Sequence, residues 1–148
     1  MSHISVSIAI DATPAEVWRI VEPIENHVKW MRDAVAIRFV DEQIRGVGTK
    51  FICQTKVGPI KLTDKMEVTQ WLPASAMGVK HVGIVTGSGR FTLTPTTNGT
   101  ATNFTWDEDL HFRWWMGGEL GGLVGGKLIM RTIWRRNLRE LKKIVENS

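Results

Sequence analysis

The sequence predicts an α+β fold in which a curved antiparallel sheet of seven strands lies against one long C-terminal helix. Three observations carry that prediction. Apolar residues alternate at period two at the N-terminus and again through residues 34–112, and the turns between the later strands are short. Only the last stretch of chain, after a run of glycines, shows apolar spacing of three and four over the length of a real helix. Short turns between consecutive strands make hairpins, and hairpins make an antiparallel sheet. A sheet with one wet face must bury the other against something large, and the last helix is the element long enough to cover it.

Taken in order, Ile4, Val6, Ile8 and Ile10 alternate with Ser5, Ser7 and Ala9 and form a first strand. In `DATPAEVW`, Thr13 can cap, Pro14 takes the first helical position and Glu16 completes a capping box, so a helix starts there. Val17, Ile20 and Val21 line one side of it until Pro23 stops it, and a second short helix through Ile24 and Val28 runs toward Trp30. Six strands follow in `AVAIRFV`, `TKFICQTKV`, `IKLTDKMEVTQW`, `AMGVKHVGIV`, `GRFTLTP` and `TATNFTWDEDLHF`. Between them, `RGVG`, `VGP`, `LPAS`, `TGSG` and `TTNGT` read as turns. Met130, Ile133, Trp134, Leu138, Leu141, Ile144 and Val145 then mark the buried stripe of the long helix.

Composition narrows the function classes. A chain of 148 residues suits one domain over 1–148, with 43% hydrophobic and 23% charged residues in the ordinary globular range. Its single cysteine, Cys53, forms no internal disulfide, and the N-terminus lacks a basic segment followed by an apolar core, so a cytoplasmic location is expected. The Asn-x-Thr triplets at Asn98 and Asn103 then carry little weight. The net charge of +4 comes with Arg131, Arg135, Arg136, Arg139, Lys142 and Lys143 on the last helix, a solvated face that also complements the helix dipole. No stacking aromatics or recognition motif accompany these cations, so no nucleic-acid partner is expected.

Several pieces in this order resemble one known superfamily: `IDATPAEVWRIV`, `DEQIRGVGTKF`, the proline of `WLPAS`, `GRFTLTPTTNGTATNFTW` and the closing `RRNLRELKKIVE`. The chain resembles the START-like, birch-pollen-allergen-like proteins of the SRPBCC superfamily, which include the polyketide cyclase/dehydrase group. That resemblance implies a helix-grip fold with an internal hydrophobic cavity between sheet and helix. It implies a carrier or binding protein for a hydrophobic small molecule such as a lipid, polyketide or terpenoid, with no cofactor. The alternative it implies is a polyketide aromatase/cyclase or dehydratase using the same cavity. Against that alternative, the chain has no tyrosine, and Trp71 stands where that branch would carry a cavity arginine, leaving Arg90 or Thr92 as substitutes.

Within such a fold, alternation predicts which side chains face inward: Phe51, Cys53 and Thr55; Leu62, Asp64, Met66 and Val68; Met77, Val79 and His81; Phe91 and Leu93; Phe104, Trp106 and Glu108. The expected ligand-binding set is Trp30, Phe51, Cys53, Met66, Val68, Met77, Val79, Phe91, Phe104, Trp106, Trp115, Gly118 and Gly122. The competing reading is that these residues close-pack as a core. Asp64 and Glu108 are acids on otherwise apolar faces, which makes them candidate ligand anchors or an acid/base pair. His81 shares their face, as a candidate acid/base or a hydrogen-bonded core histidine, whereas His3, His27 and His111 do not obviously converge with it. Asp107, Glu108, Asp109 and His111 alternate faces and cannot all reach one ion, so no metal site is expected. No nucleophile motif is present, and Cys53 reads as a small buried hydrophobe.

The run `WWMGGELGGLVGGKLIM` contains `GGLVGGKL`, which misses the phosphate-loop pattern by one residue because Leu128 replaces the magnesium-binding hydroxyl. A phosphate loop also needs a later strand to supply an acid, and only one helix of chain remains. A membrane span needs about 20 apolar residues, and Glu119 and Lys127 interrupt this run, so no stable membrane insertion is expected. On a helix, Gly117, Gly121 and Gly125 share one stripe and Gly118, Gly122 and Gly126 the next, at a cost of about 1 kcal/mol per glycine. A bare helix face implies either close approach of another backbone or room for a ligand. Trp114 and Trp115 precede it at the expected cavity mouth, where they and the glycine face also suggest a possible homodimer surface.

Overall fold

The computed structural model describes residues 2–83, 85–111 and 127–148. The expected functions of Trp114, Trp115 and the glycines at 117–126 therefore lie outside the described residues. Strand β1 (Ser2–Ile10) leads into α1 (Pro14–Val21) and a 3₁₀ helix (Ile24–Lys29). Strands β2 (Ala34–Phe39), β3 (Lys50–Val57), β4 (Ile60–Leu72), β5 (Ala76–Val82), β6 (Thr86–Pro95) and β7 (Thr102–His111) follow, and α2 (Lys127–Glu146) closes the chain. All strands join one antiparallel sheet in the order β1-β7-β6-β5-β4-β3-β2. The two short helices thus carry the chain from one sheet edge to the other.

The local chemistry follows the sequence closely at the start. Thr13 Oγ1 accepts from Glu16 N at 3.3 Å and the Glu16 carboxylate accepts from Thr13 N at 3.0 Å, a complete capping box with Pro14 behind it. The second short helix is 3₁₀ in geometry, as befits a six-residue piece confined between Pro23 and Trp30. Arg45 clamps it from the β2–β3 loop through two 3.0 Å hydrogen bonds to the Glu25 carboxylate. That guanidinium holds the Glu25 carboxyl below its usual range.

One turn assignment is corrected. `TGSG` reads as a turn in the sequence, but Thr86 already pairs with Val82 and the segment runs as the first part of β6. Its glycines serve close approach instead of reversal. Gly87 has φ +129°, and a Cβ there would overlap the Asp109 carbonyl on β7; a Cβ on Gly89 would overlap the carboxylate of Glu108.

The sheet's inner face packs on α2. Trp134, Asn137, Leu138, Leu141 and Val145 are its buried residues, and Leu138 and Leu141 meet Ile4, Ile10, Val17, Val21 and Phe104 in one apolar core. Asn137 is fully buried, accepting from Arg32 N at 3.0 Å and donating to Asp33 Oδ1 at 2.7 Å, so it ties the segment after the 3₁₀ helix to α2. At the other end, Glu146 accepts from Asp11 N at 2.8 Å and Lys142 donates to Ala9 O at 3.0 Å, which pins the helix to the end of β1. Among the described residues no helix is long and apolar enough to cross a membrane.

Candidate functional site

Between the inner face of the sheet, the 3₁₀ helix and α2 lies a pocket of about 130 Å³. Its walls come from alternate residues of successive strands, as the pleat requires: Phe51, Cys53 and Thr55 on β3, Leu62, Asp64 and Met66 on β4, Met77, Val79 and His81 on β5. Gly89 and Phe91 on β6 and Trp106, Glu108 and Leu110 on β7 continue the wall. Met130 and Trp134 border it from α2, with the Trp134 ring stacked on Trp106 at 4.7 Å.

The strand register explains why the inner-face reading succeeded. Phe51 pairs with Met66, Cys53 with Asp64, Met66 with His81, Met77 with Phe91 and Phe91 with Trp106, so each predicted set continues the next across the sheet. Three members of the expected binding set do not line the pocket. Trp30, Val68 and Phe104 are almost wholly buried in the core around it. Trp30 is held edge-to-face against Phe104 and Trp106, Phe104 packs on Phe91, and Val68 lies next to the bulge of β4, where the register shifts. Trp115, Gly118 and Gly122 lie outside the described residues.

Two of the lining residues that escaped the sequence reading are polar. His27, which did not obviously converge with His81, borders the same pocket, and so does Asp33. Neither sits on a strand, so no alternation marked it. His27 donates from Nε2 to the Val21 carbonyl at 2.7 Å, and burial pushes its imidazole down to about 4. It is therefore neutral, with Nδ1 left as an acceptor.

The structure brings Asp64, His81 and Glu108 together. His81 Nδ1 donates to Asp64 Oδ2 at 2.5 Å and its Nε2 donates to Glu108 Oε2 at 3.0 Å. The other oxygen of Glu108 accepts from Trp106 Nε1 at 3.0 Å. Glu108 stands on β7 and His81 on β5, so the carboxylate must cross β6, and it does so at Gly89, its register partner, where no side chain obstructs it. Burial alone pushes the His81 imidazole down, and that is the largest single influence. The hydrogen bonds and charges of Asp64 and Glu108 together outweigh it and push the imidazole up to about 10. His81 is thus an imidazolium at neutral pH, with both N–H groups engaged.

The remaining polar groups behave differently. Asp107 and Asp109 alternate to the other face, where Asp109 meets His3 at 2.7 Å. Burial pushes the Cys53 thiol up to about 11, which removes it as a nucleophile near neutral pH. Among the described residues no group of three or more His, Cys, Asp or Glu side chains is placed to hold a metal ion.

A seven-stranded antiparallel sheet gripping a C-terminal helix over an inward-facing wall defines the helix-grip class of α+β proteins. The chain belongs to the polyketide cyclase/dehydrase and lipid transport family, whose pattern it matches over residues 1–146. It is similar in fold to the protein TTHA0849 from Thermus thermophilus, at 16% identity and a TM-score of 0.81, over 99% of this chain and 98% of that one. A START superfamily protein from Mycobacterium smegmatis aligns at 13% identity and a TM-score of 0.77, covering 98% and 97%. The Zhui aromatase/cyclase from a Streptomyces species aligns at 16% identity and a TM-score of 0.73, covering 98% and 93%. No curated protein matches the sequence.

Proposed function

We propose that this protein binds a small apolar molecule in the pocket between sheet and α2, and holds or carries it without transforming it. The observation that carries this reading is the state of His81. A histidine fixed as an imidazolium between two carboxylates has no lone pair with which to act as a base near neutral pH. Its two N–H groups are also spent on Asp64 and Glu108, so neither is free to polarise a carbonyl. The second lining histidine is held neutral and deeply buried, and the one cysteine is held as a thiol. What remains is a wall that is mostly apolar and aromatic, of the kind that binds ligands by burial.

The test uses the neutral probe N-phenyl-1-naphthylamine and native mass spectrometry of the purified protein. Saturable, blue-shifted probe fluorescence that weakens in Leu62→Trp, which fills the pocket from its rim, is the expected result. No probe binding and no co-purifying species would remove the reading. The likeness to an aromatase/cyclase fold favours a second reading, cyclisation or dehydration of a poly-β-keto substrate in the same pocket. Turnover of such a substrate that falls in Asp64→Asn and Glu108→Gln would favour it over the carrier.

A further inference from the structure

Among the described residues, acids outnumber cations around the pocket. Asp33, Asp64 and Glu108 are the acids on its lining, and His81 is held between Asp64 and Glu108. Arg90 also borders the pocket but is exposed and alternates out of the inner face of β6, and Arg131 on α2 is not part of the wall. Of the acceptors, His81 occupies one oxygen each of Asp64 and Glu108, Trp106 occupies the second oxygen of Glu108, and Asn137 occupies one oxygen of Asp33. Asp64 Oδ1 is buried with no hydrogen-bond partner among the described residues. His27 adds another acceptor, Nδ1, because its Nε2 proton is committed to Val21 O. Apart from His81 and Arg90, the donors on the wall, such as the Thr55 hydroxyl and the Trp134 indole, are uncharged.

A buried carboxylate oxygen without a donor is an expensive group to leave unmet, and negative charge in a low-dielectric pocket repels a second anion. The aromatic rings of the wall, Trp106, Trp134, Phe91 and Phe51, supply the apolar surface for the rest of a bound molecule.

On the reading that this pocket is a binding site, we propose that it selects apolar molecules whose polar end is a hydrogen-bond donor, a protonated amine best of all, and discriminates against carboxylates and phosphates. Free fatty acids and phospholipid headgroups are thereby disfavoured as ligands. The donor end would lie toward Asp64 and Asp33, with the apolar body against the tryptophan pair. General electrostatics predicts the opposite preference, because the chain carries a net charge of +4 and would draw anions to its surface.

The experiment compares 1-naphthylmethylamine, 1-naphthol and 1-naphthoic acid, which share one apolar body, as competitors of N-phenyl-1-naphthylamine at pH 7. The amine is expected to compete at concentrations at least tenfold below those of the acid, with the naphthol between them. The amine-to-acid ratio is expected to shrink several-fold in Asp64→Asn, and also in Asp33→Asn, which leaves the His81 cluster intact. An acid that competes as well as the amine, or a ratio unchanged in both variants, overturns the proposal while leaving the pocket as a binding site. Failure of the naphthylamine probe itself to bind overturns the binding reading and this proposal with it.

Discussion

Raising the pH from 7 to 9 should weaken the fold by roughly 2–3 kcal/mol, because His81 must give up the proton that its two carboxylate partners hold. The imidazole is pushed up to about 10 in the folded chain, against an ordinary value of 6.5. The native state therefore binds a proton that the unfolded state has released, and stability falls as pH rises. The contribution is fully present below pH 6.5 and is lost as pH passes through about 10, with a total on the order of 5 kcal/mol at 1.36 kcal/mol per unit. Stopping at pH 9 keeps most of the titration of Cys53, whose thiol acts with the same sign at higher pH, out of the window. Urea unfolding followed by tryptophan fluorescence at pH 7 and pH 9 reads the difference directly. Glu108→Gln keeps an oxygen for Trp106 Nε1 but removes one of the two negative charges beside His81, and should cut the loss to about half. A wild-type stability that is flat from pH 7 to 9, or the same loss in the variant, would refute the clamped imidazolium.

The acid side should show the mirror effect from His27. Its imidazole is pushed down to about 4, so the unfolded state binds the extra proton and stability falls by roughly 1–2 kcal/mol from pH 6.5 to pH 5, a slope that His27→Gln should remove. Gly89→Ala should cost about 1.5–3 kcal/mol in urea unfolding, the worth of a hydrogen bond to a charged group, because the new methyl displaces the Glu108 carboxylate; a cost below about 0.5 kcal/mol would show that the carboxylate has another place to go. Cys53 should react with a disulfide reagent at pH 8 far more slowly in the folded chain than in urea, and rapid labelling of the native protein would contradict its burial.

The candidate cluster was half legible. Period-two alternation placed Asp64, His81 and Glu108 on one face, and the register confirms that face strand by strand. Nothing in the alternation shows that a carboxylate on β7 reaches a histidine on β5. That contact depends on Gly89, and in `TGSG` a glycine that clears space looks the same as one that turns the chain. His27 and Asp33 were invisible as lining for a related reason. They lie on a 3₁₀ helix and a connecting segment, which have no repeat to betray which way a side chain faces. Trp30, Val68 and Phe104 were assigned to the wall because hydrophobicity alone does not separate a residue that borders a pocket from one packed behind it.

The sequence by itself determined the order of elements, the antiparallel sheet, the capping of α1, the buried stripe of α2 and the inner face of each strand. Each of these follows from local spacing and from the chemistry of neighbours within a few residues. Only the tertiary structure decided that three polar residues on three different strands form one charged cluster and that its histidine is a fixed cation. Those outcomes depend on distances between groups 17 and 27 residues apart in the chain, and on burial that strengthens each charge–charge interaction beyond what water would allow.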